Sequence, residues 1–207
     1  MDTPSLHQAQ KTYQEFYALG PLMDHTTTHP YSVQNTVNNP LMPHGPRTYI
    51  SGFAYHDLSL PLLEYTLQKY TEYVTHLGDS YVTGAILYEA YPFEKTCSVP
   101  CAETAYGNRG EYFNNAMALR WKSPEHDAWV RDWAREFVRG AREIDALVAR
   151  SKGRKTCETR GYANIPAPGQ SLQEAFEGNL GRLREVKGKW DPRGRFNKWF
   201  PVEPARS

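Results

Sequence analysis

The longest amphipathic segment of the sequence, residues 124–150, constrains the fold more than any other feature. Ser123 suits the N-cap of a helix and Pro124 suits its first position, so a helix is expected to begin here. Large apolar side chains then recur at helical spacing on one side of the segment: Trp129, Trp133, Phe137, Ile144 and Val148. A helix with so wide an apolar side must bury it, and we predict that it packs on a β-sheet.

Segments rich in alternating or β-branched and aromatic residues supply the strands of that sheet. They are residues 47–56, 81–91, 106–121 and 159–165. Three further helices are predicted over residues 5–19, 61–77 and 171–190. This order predicts an α+β fold in which helices cover one face of an antiparallel sheet. We expect a single domain over residues 1–207, with residues 1–30 as an extension of helix and loop.

Composition and motif content exclude several classes of function. The formal net charge is +1 and no nucleic-acid-binding motif is present, so we expect no nucleic-acid partner. The absence of a long apolar run and of a secretory signal predicts a cytoplasmic protein without a membrane partner. The cysteines and the scattered histidines lack the spacing of a metal site. Phosphate-binding loops and hydrolase motifs are also absent, so the sequence predicts no metal and no cofactor cradle.

Two features point to a pocket for a small molecule. Aromatic residues make up 13% of the chain, which suits either the lining of a pocket for a planar ligand or a tyrosine-rich sheet surface. Asn114 and Asn115 lie inside the predicted strand 106–121, where asparagine is locally unfavourable. Such a conflict between residue and predicted element is typical of a functional site.

Three stretches carry a resemblance to a known family. They are residues 84–92 (GAILYEAYP), 104–121 (TAYGNRGEYFNNAMALRW) and 178–196 (GNLGRLREVKGKWDPRGRF), together with the motifs Pro30-Tyr31-x-x-x-Asn35 and Tyr162-x-Asn164. They resemble the substrate domain and terminal segment of berberine-bridge-type FAD-linked oxidases, especially the fungal members of specialised metabolism. The terminal stretch is the most specific, although Trp190 replaces the usual Tyr. Its matches to the family's terminal helix are Asn179, Arg182, Leu183, Val186, Lys187, Lys189, Asp191, Pro192 and Phe196.

The resemblance implies a substrate domain and also marks departures from the family. Members carry an N-terminal flavin-binding module with the His and Cys that attach FAD, and we expect this chain to lack it. Members commonly place an acidic residue in the strand after the position of Arg109, and a Tyr directly after the Tyr162-x-Asn164 motif. Here Asn114 and Asn115 stand in the first place and Ile165 in the second. Because carboxamides and alkyl chains cannot take a proton, flavin oxidation by this chain alone is not expected.

The predicted pocket lies over the sheet. Its candidate catalytic residues are Asn114, Tyr112, Glu89 and Arg109, whose polar groups can orient a substrate oxygen or move a proton. Its candidate substrate-binding residues are Tyr49, Tyr88, Trp121, Tyr162 and Asn164. Glu89 could instead pair with Arg109 across strands, and the tyrosines could be ordinary sheet surface. Strand parity places Tyr112 and Asn114 on one face and Arg109, Asn115 and Trp121 on the other, so only a bulge would let all of them line one cavity.

Three functions fit these features. The first is a cofactor-independent cyclase or isomerase of a specialised-metabolite pathway, acting on a polycyclic, polyketide, terpenoid or alkaloid intermediate. The second is an FAD-linked oxidoreductase half that docks with a separate flavin-binding chain, and the third is a non-catalytic binding protein. A half enzyme should expose an apolar surface, whereas a free-standing enzyme should have a polar or self-associated one. We expect the first function, in a homodimer that does not bind FAD tightly.

Overall fold

The structure is a computed structural model that describes residues 5–37, 39–41, 44–154 and 162–205. The chain divides into two compact units, Met1–His44 and Gly45–Ser207. The first unit contains α1 (Leu6–Thr12) and α2 (Gln14–Ala18), followed by 3-10 turns at Tyr31–Thr36 and Asn39–Leu41. The predicted single helix over residues 5–19 is wrong, because Tyr13 leaves the helical conformation with φ −100° and ψ 16° and divides it.

The second unit is built on a three-stranded antiparallel sheet. Its strands are β1 (Arg47–Tyr55), β2 (Tyr81–Glu89) and β3 (Phe113–Trp121), in the spatial order β1-β3-β2. β3 is therefore central, and both of its edges are hydrogen-bonded to neighbours. Asn114 pairs in register with Ala54 on one side and with Glu89 on the other. The two asparagines thus lie inside the sheet rather than at its edge.

Two helices cover one face of this sheet. α3 (Leu60–Leu77) begins after Ser59, whose side chain accepts the Leu62 N–H, and α5 (Asp127–Ser151) follows a 3-10 turn at Pro124–His126. The Trp133 and Phe137 rings stack at 5.4 Å in the resulting core. The largest buried contributors are Phe53, Tyr55, Leu62, Tyr73, Met117, Leu119, Trp121, Trp133 and Phe137. The predicted α+β fold with an antiparallel sheet covered on one face is confirmed. In the described ranges, no helix has the length and apolar character needed to cross a membrane.

β3 is shorter than the predicted strand over residues 106–121. The chain turns before it, where the Arg109 N–H donates to the Gly107 carbonyl oxygen at 2.9 Å. The Arg109 guanidinium donates to Thr96 O at 3.1 Å and to Thr104 Oγ1 at 2.9 Å, in the loop that contains α4 (Glu94–Cys97). Residues 106–112 therefore form a loop that is hydrogen-bonded to the loop containing α4. The Arg109 guanidinium is held by these hydrogen bonds and not by a cross-strand pair with Glu89.

The predicted helix over residues 171–190 is divided in the structure. α6 (Leu172–Phe176) begins with a capping box between Ser171 and Glu174, and α7 (Leu180–Trp190) follows a 3-10 turn. Glu177 has φ 43°, which an α-helix cannot contain, so the helix stops there and starts again. Of the predicted strand over residues 159–165, residues 159–161 lie outside the described residues. Residues 162–165 form a turn closed by the Ile165 N–H and Tyr162 O at 2.9 Å.

Candidate functional site

The two faces of β3 have different surroundings. Met117, Leu119 and Trp121 face the helix layer, and Ala116 and Ala118 alternate with them on the opposite face. Ala118 stands in register between Ile50 and Ala85, and Ala116 stands next to Leu87. Leu87 is 53% exposed and Ile50 is 44% exposed. We call the apolar side chains on the side of the sheet away from the helices the open sheet face: Ile50, Ala85, Leu87, Ala116 and Ala118.

Asn114 lies on the same side of β3 as the open sheet face, and its amide is held at both ends. Asn108 Nδ2 donates to Asn114 Oδ1 at 3.0 Å, and Asn114 Nδ2 donates to the Tyr91 hydroxyl oxygen at 2.9 Å. Asn108 and Asn114 are both buried. We call Tyr91, Asn114 and Asn108 the amide–phenol row. Because each group fixes its neighbour, the row is preorganised and can hold a substrate oxygen or hydroxyl without rearranging.

Two tyrosine hydroxyls, those of Tyr91 and Tyr106, are titratable groups at this row. Burial, helped by neighbouring acidic groups, raises the pKa of Tyr91 to about 12. Burial also raises the pKa of Tyr106, against a smaller opposing effect of its hydrogen bond with Asn108. Both phenols stay protonated at neutral pH, so they can donate hydrogen bonds but cannot act as bases. The arrangement is suited to binding and orienting a substrate rather than to taking its proton.

Four of the predicted site residues meet at this end of the sheet. Arg109 lies 5.2 Å above the centre of the Tyr106 ring, and Tyr162 meets the same ring edge-on at 5.9 Å. Glu89 is the exposed register partner of Asn114, so the structure brings together Asn114, Glu89, Arg109 and Tyr162. Sequence reasoning missed Tyr91, Asn108 and Tyr106. The available signal was that all three lie in the stretches 84–92 and 104–121, which carry the family resemblance.

The sheet separates three other predicted residues from Asn114. The Tyr88 hydroxyl points into the helix layer, 2.5 Å from Thr66 Oγ1. Tyr49 and Trp121 pack with the core and line a separate cleft of about 280 Å³ at the start of α5. Their rings cannot line one cavity with Asn114 while the sheet lies between them. Of the remaining predicted residues, Asn164 is exposed in the turn after Tyr162.

A buried His–Asp pair holds the chain where β1 ends. Asp145 of α5 accepts hydrogen bonds from the His56 backbone N–H at 2.8 Å and from His56 Nδ1 at 2.7 Å. The Asp57 N–H donates to the same carboxylate at 3.3 Å. Tyr112, another predicted site residue, is buried beside this pair, with its ring 6.5 Å from the imidazole in an edge-on arrangement. The pair fixes the exit of β1 against α5.

The segment after α7 folds back on the helix but leaves its large rings exposed. Asp191 accepts the backbone N–H groups of Arg195 at 2.8 Å and Phe196 at 2.9 Å, and it pairs with Lys187. These contacts, the Lys187 hydrogen bond first, lower the pKa of Asp191 to about 2. Trp190 is 75% exposed, Phe196 83% and Trp199 66%. We call these three rings the tail aromatics. No metal site accompanies them, since the described residues contain no group of three potential ligands.

The sequence is similar to known proteins over part of its length. The family model described as "Berberine and berberine like" matches residues 161–199. The FAD-linked oxidoreductase pgmH of Aspergillus terreus is 36% identical over 118 residues, which are 55% of this chain and 24% of that protein. The aclacinomycin-N/aclacinomycin-A oxidase of Streptomyces galilaeus is 29% identical over 147 residues, covering 62% and 25% of the two chains. This chain therefore spans about a quarter of the curated relatives that it matches.

The fold is similar to that of solved oxidase structures. Aclacinomycin oxidoreductase superposes with a TM-score of 0.59 at 24% identity, covering 98% of this chain and 43% of the other. Berberine bridge enzyme from Eschscholzia californica gives a TM-score of 0.61 at 12% identity, covering 97% and 44%. Identities this low show a shared fold alone, and the sequence matches show similarity to the same oxidases over part of the chain. In sequence and in fold, the chain is therefore similar to a part of the berberine-bridge-like FAD-linked oxidoreductases.

Proposed function

We propose that this chain is the substrate-facing part of an FAD-linked oxidoreductase, and that its open sheet face packs against a flavin-binding module. The observation that carries the proposal is the exposure of Leu87 and Ile50, at 53% and 44%, on the two strands that flank β3. An antiparallel sheet that is covered on one face normally presents polar residues on the other. An apolar patch in that place is typical of an interaction surface.

The tail aromatics support the same proposal. Asp191 and Lys187 hold the backbone of this segment, and that local structure leaves Trp190 and Phe196 largely in solvent. Large aromatic rings are enriched among the residues that anchor protein interfaces. We therefore include Trp190, Phe196 and Trp199 in the proposed contact with the flavin-binding module.

The open sheet face suits the flavin ring better than the flavin phosphates. Ala85 and Ala118, which are both partly exposed, provide small apolar side chains on which a planar ring can pack. The described residues contain no glycine-rich loop that leads into a helix N-terminus, the usual cradle for a pyrophosphate. We assign phosphate binding to the flavin-binding module, whether in the same polypeptide or in another. FAD would supply the hydride acceptor, and this chain would bind and orient the substrate.

The amide–phenol row supports a proposal for the class of substrate. Tyr91 is protonated and can donate to a carbonyl or ether oxygen, and Asn108 and Asn114 offer further amide groups beside it. Tyr106 and Tyr162 add aromatic surface at the same place. We propose a small ring compound that carries oxygen functions. Aclacinomycin is the first compound to test, because one relative is named for it.

A cofactor-independent cyclase or isomerase is the second candidate, and the residues at two positions favour it. Asn114 is a carboxamide engaged by two partners, and Ile165 is an alkyl side chain that lies against Gly52. A substrate oxidation coupled to deprotonation would require a base at one of these positions. Neither side chain can accept a proton, so neither can be that base. A reactive intermediate can cyclise when it is only held and oriented, which the amide–phenol row can do.

The proposal is tested by binding to a flavin-binding module. The tagged chain is co-expressed with the flavin-binding region of the pgmH oxidoreductase, and the eluate is analysed for visible flavin absorbance and for mass by size exclusion. We expect a yellow one-to-one complex, while the chain alone is colourless. Leu87→Asp should weaken the complex at least about tenfold, because a carboxylate would be desolvated in the interface. Leu147→Asp is the matched control, since Leu147 is 65% exposed on α5 in the helix layer.

Two other outcomes would overturn the proposal. A chain that does not bind the module, and that forms a dimer which Leu87→Asp dissociates, would show that a second copy covers the open sheet face. Turnover gives the second outcome. If the purified chain converts a substrate to a product of unchanged mass without FAD and without oxygen, the cyclase or isomerase candidate replaces the oxidoreductase.

A further inference from the structure

A groove on the outer side of α5 lies apart from the open sheet face. It is formed by α5 and the loop of residues 165–170, and its volume is about 390 Å³. The loop is held at the edge of β1, where Pro166 O accepts hydrogen bonds from Ser51 Oγ at 2.7 Å and from the Gly52 N–H at 3.3 Å. Its lining residues are Arg135, Val138, Arg139, Arg142, Glu143, Ala167 and Pro168. We call this feature the arginine groove.

The helix geometry of α5 concentrates positive charge in this groove. Arg135, Arg139 and Arg142 follow each other at intervals of four and three residues, which places their guanidinium groups on one side of the helix. Val138 and Ala167, which is packed against the core, lie between them as an apolar floor. Among the described residues of the lining, Glu143 is the one acidic side chain. The groove therefore combines several cationic donors with an apolar surface.

Two of the three arginines form no ion pair with any of the residues that the structure describes. Arg135 pairs with Asp132, and the nearby Glu136 is engaged by Lys69 at 2.8 Å. Arg139 and Arg142 form no ion pair with any residue in the described ranges. Their charges act at longer range: after the hydrogen bonds from Ser171, Arg142 helps to lower the pKa of Glu174, and after Lys69, Arg139 helps to lower the pKa of Glu136. Guanidinium groups that are not engaged by neighbours retain their capacity for bidentate binding of an anion.

We propose that the arginine groove binds a small organic dianion, an aromatic or aliphatic body that carries two carboxylates or a phosphate ester. Its volume lies in the range of small-molecule sites, the apolar floor accommodates the body, and Arg139 and Arg142 bind the acidic groups. Because α5 covers the face of the sheet opposite to the open sheet face, a ligand here does not compete with the proposed flavin contact. The site is thus separate from substrate binding at the amide–phenol row.

The test compares charged and neutral probes of the same shape. Isophthalate and phenyl phosphate are titrated into the chain by calorimetry at low salt, with isophthalamide as the neutral match. We expect saturable binding of at least one dianion, which also identifies the acidic group that is preferred, and no heat with isophthalamide. Raising the salt concentration should weaken binding, because the contact is ionic.

Arginine variants show whether the groove itself is the binding site. Arg139→Ala combined with Arg142→Ala should weaken dianion binding by about ten- to a hundredfold, as expected for two lost charge-assisted contacts. Arg150→Ala is the matched control, since Arg150 is an exposed arginine of the same helix outside the groove, and it should change affinity less than about twofold. Equal losses in both variants, equal binding of isophthalamide, or no binding of either dianion would overturn the proposal. Circular dichroism checks that the variants are folded.

Discussion

Asp145→Ala should destabilise the protein by about 3–5 kcal/mol, the usual cost of removing one partner from a buried ionic or hydrogen-bonded pair. Asp145 is 4% exposed and accepts hydrogen bonds from His56 N at 2.8 Å, His56 Nδ1 at 2.7 Å and Asp57 N at 3.3 Å. Alanine leaves all of these donors without their acceptor at a place that water does not reach. The loss is a large part of the total stability of roughly 5–15 kcal/mol that is usual for a domain.

Asp145→Asn separates shape from charge at the same position. The amide oxygen can still accept the two backbone N–H groups, and the amide nitrogen can donate to His56 Nδ1. The imidazole must then carry its proton on Nε2, which is buried and has no hydrogen-bond partner among the described residues. We expect a loss of about 1–3 kcal/mol, the cost of one buried unsatisfied donor.

Urea unfolding followed by circular dichroism measures both free-energy changes, and long-range 15N NMR of the imidazole identifies the His56 tautomer. The reasoning predicts the order wild type, Asn variant, Ala variant, with the proton on Nδ1 in the wild type and on Nε2 in the Asn variant. An Ala variant within about 1 kcal/mol of wild type would show that this carboxylate does not hold β1 against α5. An unchanged tautomer in a stable Asn variant would refute the assigned hydrogen bonds.

Three further substitutions test other parts of the structure. Phe137→Ala should cost about 3–5 kcal/mol in urea unfolding, because its ring lies between Trp133 and Tyr65 in the core, and a loss below about 1 kcal/mol would contradict that packing. Asn114→Ala should lower turnover of the assembled enzyme by roughly ten- to a thousandfold with the fold intact, and activity within about twofold of wild type would remove Asn114 from the site. The pKa of Asp191 is lowered to about 2 in the folded state, so its stabilising effect is present above its ordinary value of 3.8 and is lost as pH falls toward 2. The stability difference between wild type and Asp191→Asn should therefore shrink over that range, and a difference independent of pH would contradict the assignment.

The fold was predictable because its main determinant is periodic. The spacing of apolar residues along α5 identifies the side that is buried, and Trp133 and Phe137 lie in the core as that spacing requires. Periodicity does not show where a strand ends. Residues 106–112 could belong to the strand by pattern alone, but the Arg109 side chain finds acceptors at Thr96 and Thr104, and the chain turns there. Those acceptors become neighbours only through the tertiary structure.

The candidate site was predictable only in part for a related reason. Strand parity indicates that two faces of β3 exist, but which face is open depends on where α3 and α5 pack. Residue type groups Tyr88 and Trp121 with Asn114, whereas both rings lie on the opposite face of the sheet, which the helices cover. Tyr91 is 23 positions from Asn114 in sequence and becomes its partner through the loop that follows β2. A contact of this kind has no signature in a single sequence.

The terminal segment contains two sets of residues whose effects can be separated. Asp191 and Lys187 are satisfied within the segment, whereas Trp190 and Phe196 remain 75% and 83% exposed. A ring that served only the local fold would be buried by it.

Replacing Trp190 and Phe196 by Ser should therefore change the free energy of unfolding by no more than about 0.5 kcal/mol per site, as for ordinary surface positions, and yet weaken binding to the flavin-binding module. Urea unfolding and the co-elution assay measure the two effects on the same variant. If the double variant unfolds easily, the rings contribute to the core of this chain. If it is stable and still binds the module as wild type does, the tail aromatics are not part of that interface, and the proposed contact reduces to the open sheet face.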